Sequence, residues 1–206
     1  MIAIIDYKAG NLTSVQRAFD EIGVESVVTD SLTTIARAER LVFPGVGHAQ
    51  SAMKNLLERR LDRALKDAYA AKTPLLGICL GTQIILEHSE EGDTDTLQLI
   101  PGQCRRFSLS DPSLSIPHMG WNTVLQRQDH PLFANIPAQE SFYFVHSYYP
   151  TVDEPSCVMA ETEYEIPFCS ALGKNNLFAT QFHPEKSGQA GLQLLRNFSL
   201  WDGTSC

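Results

Sequence analysis

The first half of the chain alternates short apolar runs with longer amphipathic stretches, and this alternation narrows the fold more than any other feature. Ile2 to Asp6 reads as a first strand. Asn11 reads as the cap of a helix running to about Ile22, with Gly23 as its stop. Val24 to Thr29 is the next strand, and Arg40 to Phe43 a third, ending in Pro44-Gly45-Val46-Gly47. A long helical stretch is predicted from about Gln50 to Ala71. A strand from Leu75 to Cys79 follows, then a helix over Thr82 to His88 with Ile84, Ile85 and Leu86 on its buried side. Such βαβα order implies a parallel sheet covered on both faces.

The second half is richer in strands. Leu97 to Ile100, Cys104 to Leu109, Asn122 to Gln126, Phe142 to Tyr148, Val158 to Glu163, Phe168 to Gly173 and Leu177 to Phe182 all carry strand patterns. They read as antiparallel additions to the parallel core. Ser187 is the predicted cap of a last helix to about Trp201, with Leu192, Leu195 and Phe198 on one face. The 206 residues show no repeat, linker or low-complexity tract, so one domain over 1–206 is expected.

The fold class so predicted is α/β, with a mostly parallel central sheet flanked by helices. In such open sheets ligands bind beyond the carboxyl ends of the strands. Three motifs fall at strand ends: Pro44-Gly45-Val46-Gly47, Gly77-Ile78-Cys79-Leu80-Gly81 and His183-Pro184-Glu185. Gly-x-Cys-x-Gly after an apolar run has the form of a nucleophile elbow. A thiol there meets the positive end of the following helix, and the Leu80 N–H is aimed where an oxyanion would form. The alternative is a buried structural cysteine. Pro184 pushes His183 toward an extended conformation, so Glu185 falls on the same side and orients the imidazole, as the third member of a triad does. Taken alone, the same segment reads as a loop histidine with an exposed acid. The Pro44–Gly47 loop has no ionisable group, but its glycines let backbone approach a ligand and supply a second oxyanion N–H. Its alternative is a plain turn.

Composition excludes several classes. A formal charge of −8 argues against nucleic acid or an anionic membrane as main partner. No apolar stretch is long enough to span a bilayer, and the start of the chain lacks the basic region of a signal peptide. Five cysteines (79, 104, 157, 169 and 206) without a C-x-x-C suit a reducing, cytoplasmic compartment better than disulfides or zinc.

Together the three motifs resemble a class I glutamine amidotransferase domain, over essentially the whole chain. Within that class, Asp6-Tyr7-Lys8-Ala9-Gly10-Asn11-Leu12, Pro117-His118-Met119-Gly120-Trp121-Asn122 and Phe144-Val145-His146-Ser147-Tyr148 are similar to the glutaminase subunits of imidazole glycerol phosphate synthases. The family commonly has Gly where this chain has Lys8.

The resemblance implies a flavodoxin-like fold and a defined chemistry. Cys79 attacks the side-chain amide of L-glutamine, His183 moves the proton, and Glu185 holds the imidazolium. Val46, Gly47 and Leu80 form the oxyanion site. Gln83, Glu91, Ser147 and Tyr148 hold the substrate's amino and carboxylate ends, although Glu91 also reads as a solvated surface acid. Ammonia passes to a partner, a (β/α)₈ barrel cyclase in a heterodimer, which makes imidazole glycerol phosphate and an aminoimidazole carboxamide ribotide in histidine biosynthesis. Met119, Trp121, Tyr143 and Lys186 face that partner. No metal or organic cofactor is implied. The Gly45–Val46 peptide is the expected gate, with its carbonyl turned into the oxyanion site until the partner rotates it, so that Gly45→Pro blocks switching. The competing readings are a glutaminase serving another synthase (anthranilate or pyridoxal phosphate), a stand-alone cysteine hydrolase, and a binding module with a degenerate site.

Overall fold

The computed structural model describes residues 1–8, 10 and 12–204. The cap expected at Asn11 lies outside them. Along the chain come β1 (Ile2–Ile5), α1 (Leu12–Glu21), β2 (Ser26–Thr29), α2 (Leu32–Arg37), β3 (Arg40–Gly45), α3 (Ala49–Glu58), α4 (Leu61–Ala70), β4 (Leu75–Cys79) and α5 (Leu80–Ile84). The second half adds β5 (His88–Ser89), β6 (Thr94–Asp95), β7 (Gly102–Arg106), β8 (His118–Gln126), β9 (Gln139–His146), β10 (Tyr148–Val152), β11 (Val158–Tyr164), β12 (Ile166–Lys174), β13 (Leu177–Thr180) and α6 (Gly188–Leu200).

Nine of these strands form one sheet in the order β2-β1-β3-β4-β13-β12-β11-β8-β9. From β2 to β13 the pairings are parallel, and from β13 to β9 they are antiparallel. The parallel part repeats the doubly wound order of flavodoxin-like folds, as expected, but it includes β13, which the sequence reading had placed among the antiparallel additions. Strand periodicity explains the two cores. Ile2 and Ile4 point to one face, with Val15 and Phe19 of α1 and Leu195 and Phe198 of α6. Ala3 and Ile5 point to the other, with Met53 and Leu56 of α3, Leu65 of α4 and Ile84 of α5.

Several sequence-based boundaries differ. The helix expected over Gln50 to Ala71 is two helices, because α3 buries Ala49, Ala52, Met53 and Leu56 and the next position on that face is Arg60. Burying Arg60 would strand its charge, so the chain turns there, with Arg60 at φ 60°. Helix α2, capped by Ser31 Oγ accepting from the Thr34 N–H, has no counterpart in the sequence reading. Leu97 to Ile100 is not a strand. Its N–H groups bond the carbonyls of Ile84, Ile85 and Leu86 at 2.7–3.2 Å, satisfying the end of α5. Leu97 and Ile100 are buried, which explains their apolar signal. A second sheet, β10-β7-β5-β6, was not foreseen, since its two-residue strands carry no periodicity. Ser187 begins α6, but its Oγ donates to the His183 carbonyl and accepts from the Tyr143 N–H instead of capping the helix.

Candidate active site

Cys79 ends β4 at φ 54° and ψ −106°, a conformation that side chains other than glycine rarely adopt. The strain therefore sits on the thiol residue itself. Gly81 serves close packing instead. A Cβ there would stand 1.9 Å from the Phe43 carbonyl oxygen, so only glycine lets α5 lie against β3. Helix α5 spans Leu80–Ile84 and not Thr82 to His88, and its dipole is correspondingly small. The environment of Cys79 is set by neighbouring side chains.

His183 is the first of these. Its Nδ1 and Glu185 Oε1 are 2.7 Å apart, with side chains 2% and 1% exposed. Burial opposes the imidazolium, but the nearby Cys79 sulfur, together with Glu185, overcomes it and holds His183 up at about 10. With Nδ1 committed to Glu185, Nε2 is the nitrogen left for proton transfer. The segment is held in place because the His183 N–H bonds the Tyr143 carbonyl at 2.9 Å, tying the turn to β9.

A cleft of about 320 Å³ opens over Cys79. Val46, Gly47, Leu80, Gln83, Glu91, Ser147 and Tyr148 all line it. The structure thus brings the sequence-named oxyanion and substrate positions to one cleft. Glu91 is not a solvated surface acid: it is half-buried, and its Oε2 accepts from the Ala49 N–H at 2.6 Å, at the start of α3. A larger hollow of about 700 Å³ between α2 and α4 presents no thiol or imidazole, and its lining lies apart from these residues.

Beside the cleft, β8 alternates. His118 faces inward, while Met119 and Trp121 face outward at 60% and 58% exposure. Trp121 pairs across to Tyr143 in β9, their rings 6.2 Å apart and near perpendicular. Lys186 Nζ lies 5.7 Å from the Tyr143 ring centroid. The four residues named for a partner contact therefore form one apolar patch with a cationic rim. Lys8 is exposed at φ 63°, which accounts physically for glycine being common there in the family.

Sequence reasoning missed Tyr7, His118, His146 and Gln181 as residues of the site. Gln181 was discoverable: it is one of two polar residues, with Thr180, in the run Leu177 to Phe182, and it lies two positions before His183. The two histidines were inside quoted segments, but their mutual contact depends on the register of β8 and β9, which pairs His118 with His146.

Among the described residues, Cys79, Cys104, Cys157 and Cys169 are free. No group of three or more metal-ligating side chains occurs there, and no helix is long and apolar enough to cross a membrane.

The profile of the family described as Glutamine amidotransferase class-I matches residues 3–200. The chain is 50% identical over 203 residues to imidazole glycerol phosphate synthase subunit HisH of Maridesulfovibrio salexigens, spanning 96% of this chain and 95% of that protein. It is 47% identical over 210 residues to the HisH subunit of Neisseria meningitidis, spanning 97% and 99%. Among solved structures it is similar to PurLQS from Thermotoga maritima, with TM-score 0.72 and 14% identity over 96% of each chain. It is also similar to a glutamine amidotransferase from the same organism, with TM-score 0.68 and 15% identity over 96% of this chain and 81% of that one. These last two likenesses speak to the fold. By its family profile and its near full-length relatives, the chain belongs to the class I glutamine amidotransferases, in the branch of the HisH subunits.

Proposed function

We propose that this chain is the glutaminase subunit of an imidazole glycerol phosphate synthase, hydrolysing L-glutamine to glutamate and ammonia. One observation carries the reading: the Cys79 thiol lies in a cleft lined by Val46, Gly47, Leu80, Gln83, Glu91, Ser147 and Tyr148, and it interacts with the buried, Glu185-bound His183 behind it. No other thiol among the described residues has such surroundings, since burial pushes Cys104, Cys157 and Cys169 up.

The chemistry follows from the geometry. Cys79 Sγ gives its proton to His183 Nε2 and attacks the side-chain carbonyl carbon of glutamine. The new C–S bond displaces the carbonyl π electrons onto oxygen, where the N–H groups of Leu80 and the Val46–Gly47 segment receive them. The tetrahedral species collapses to a thioester as His183 returns the proton to departing ammonia. Water, deprotonated by His183, attacks the thioester and releases glutamate and the thiolate. Glu185 keeps the imidazole aligned and stabilises it whenever it carries the proton. Glu91 suits the substrate ammonium.

Ammonia is passed to a cyclase subunit. We read that partner as a (β/α)₈ barrel forming a heterodimer through Met119, Trp121, Tyr143 and Lys186. The exposed aromatic patch beside the cleft supports this, because aromatic anchors with a polar rim are the usual make-up of an interface centre. The Gly45–Val46 peptide is the gate, and the reaction belongs to the cytoplasm. The test is glutamate release with and without a barrel cyclase and its nucleotide ligand. Stimulation only in the complete mixture supports the reading, while equal turnover by the chain alone opposes it.

A further inference from the structure

Gln181 is fully buried beside Cys79, and both ends of its amide are engaged. Nε2 donates to Cys79 Sγ at 3.7 Å, and Oε1 accepts from Gln83 Nε2 at 3.1 Å. Which end of an amide faces a sulfur is decided by its hydrogen-bond network. Here a backbone carbonyl decides it. The Tyr148 carbonyl can only accept, and it lies 3.0 Å from Gln83 Nε2 and 2.7 Å from His146 Nδ1. Gln83 therefore turns its NH₂ group to that side. The second hydrogen of that NH₂ meets Gln181 Oε1, so the Gln181 NH₂ is left aimed at the sulfur.

The far end of the chain of bonds has the same polarity. Asn122 Oδ1 accepts from the Thr123 N–H at 2.8 Å, which turns Asn122 Nδ2 toward His118 Nε2 at 3.2 Å. His118 then donates from Nδ1 to His146 Nε2 at 2.9 Å. That leaves Nδ1–H of His146 for the Tyr148 carbonyl. Each link has a single direction, whichever end it is read from. Both histidines are neutral in this arrangement, which agrees with burial pressing them down to about 4 and about 3. His118, His146, Gln83 and Gln181 are each no more than 5% exposed, so water does not compete for these bonds.

We propose that Gln181 is a further catalytic residue of the glutaminase reaction, its Nε2–H stabilising the Cys79 thiolate, with Gln83 fixing the amide and His146 and His118 as positioning residues behind it. The inference rests on Cys79 being the nucleophile. A hydrogen bond to a charged acceptor is about twice as strong as one to a neutral acceptor. The Gln181 bond therefore favours the thiolate over the thiol before attack. It weakens when sulfur becomes part of the neutral thioester, and re-forms when water expels the thiolate.

The test is alkylation of Cys79 by iodoacetamide across pH in the full chain, with Cys79→Ala as the blank. His183, Tyr7 and Cys104 are titratable neighbours that interact with Cys79. Gln181→Met keeps these and the side-chain volume but removes the donor. At neutral pH the expected alkylation rate falls about ten-fold or more, the scale of one hydrogen bond to a charged group, and the pH profile moves upward. Gln83→Met leaves the donor but frees its orientation, so a smaller shift in the same direction is expected. A folded Gln181→Met with the wild-type profile overturns the proposal. If that variant does not fold, an unchanged profile in Gln83→Met does so. The assay needs no glutamine and no partner, so it fails separately from the functional reading: Cys79 that reacts normally in a protein without glutaminase activity would condemn that reading instead.

Discussion

Gly45 stands directly across from Cys79 in the parallel register of β3 and β4. The residue that opens the loop proposed to complete the oxyanion site is thereby fixed one strand from the thiol. Its backbone is crowded by Tyr7, whose hydroxyl lies 1.9 Å from where a Gly45 Cβ would be. That hydroxyl is fully buried and makes no hydrogen bond.

The contact changes how the gate should be probed. Gly45→Pro tests more than peptide rotation, because any side chain at 45 strikes Tyr7. Gly45→Ala is expected to lose about 1–3 kcal/mol of stability through overpacking. Tyr7→Phe should be neutral or stabilising by about 1 kcal/mol, since it deletes a buried, unbonded hydroxyl. The double variant should recover part of the Gly45→Ala loss in denaturant titrations. Strictly additive effects would show that Tyr7 is not the obstacle.

The oxyanion role of the loop is reached more cleanly at the next residue. Val46→Pro removes one N–H without touching the triad. Partner-stimulated glutamate release should drop by about 10²–10³ in kcat, the usual loss for one oxyanion donor. Stimulated turnover at the wild-type rate would remove Val46 from the oxyanion site.

Trp121 is 58% exposed, so Trp121→Ala should leave thermal stability within about 0.5 kcal/mol of wild type. Its binding to the barrel cyclase, followed by calorimetry, should weaken by about 2 kcal/mol or more, as for a central aromatic anchor. Unaltered affinity would move the interface elsewhere.

Acid should destabilise the fold through its buried neutral histidines. Burial holds His118 and His130 at about 4 and His146 at about 3. The unfolded chain takes up these protons near pH 6.5. Between those values the unfolded state binds more protons, so stability falls as pH is lowered from about 6.5 toward 4. His183 acts in the opposite sense: raised to about 10, it contributes stability below its unfolded value that is lost as pH rises through about 10. His130 lies away from the cleft and caps the turn Pro131–Phe133 through Nδ1. His130→Asn keeps that cap and removes the titration. Its denaturation midpoint should fall less than the wild type's between pH 6.5 and 4.5, and an equal fall would refute the assignment.

Strands β1, β3 and β4 of the parallel core were legible because they are short, apolar runs. The three motif positions were legible because each follows an apolar run, although β13, before His183, was read as an antiparallel addition and is parallel to β4. What sequence could not provide was long-range register. The pairing of His118 with His146 depends on β8 and β9 aligning across an intervening turn, and no local pattern encodes it. The break at Arg60 lacked a Gly or Pro to announce it, and the Leu97–Ile100 segment looked like a strand because burial, not pairing, selected its apolar residues.

The most direct test of the whole account is glutamate release from L-glutamine, measured for the chain alone, with a barrel cyclase subunit, and with that subunit plus its nucleotide ligand. Cys79→Ala serves as control. The account predicts slow turnover alone, strong stimulation in the complete mixture, and none in Cys79→Ala. Turnover that is equally fast without the partner, or that survives loss of Cys79, would contradict it.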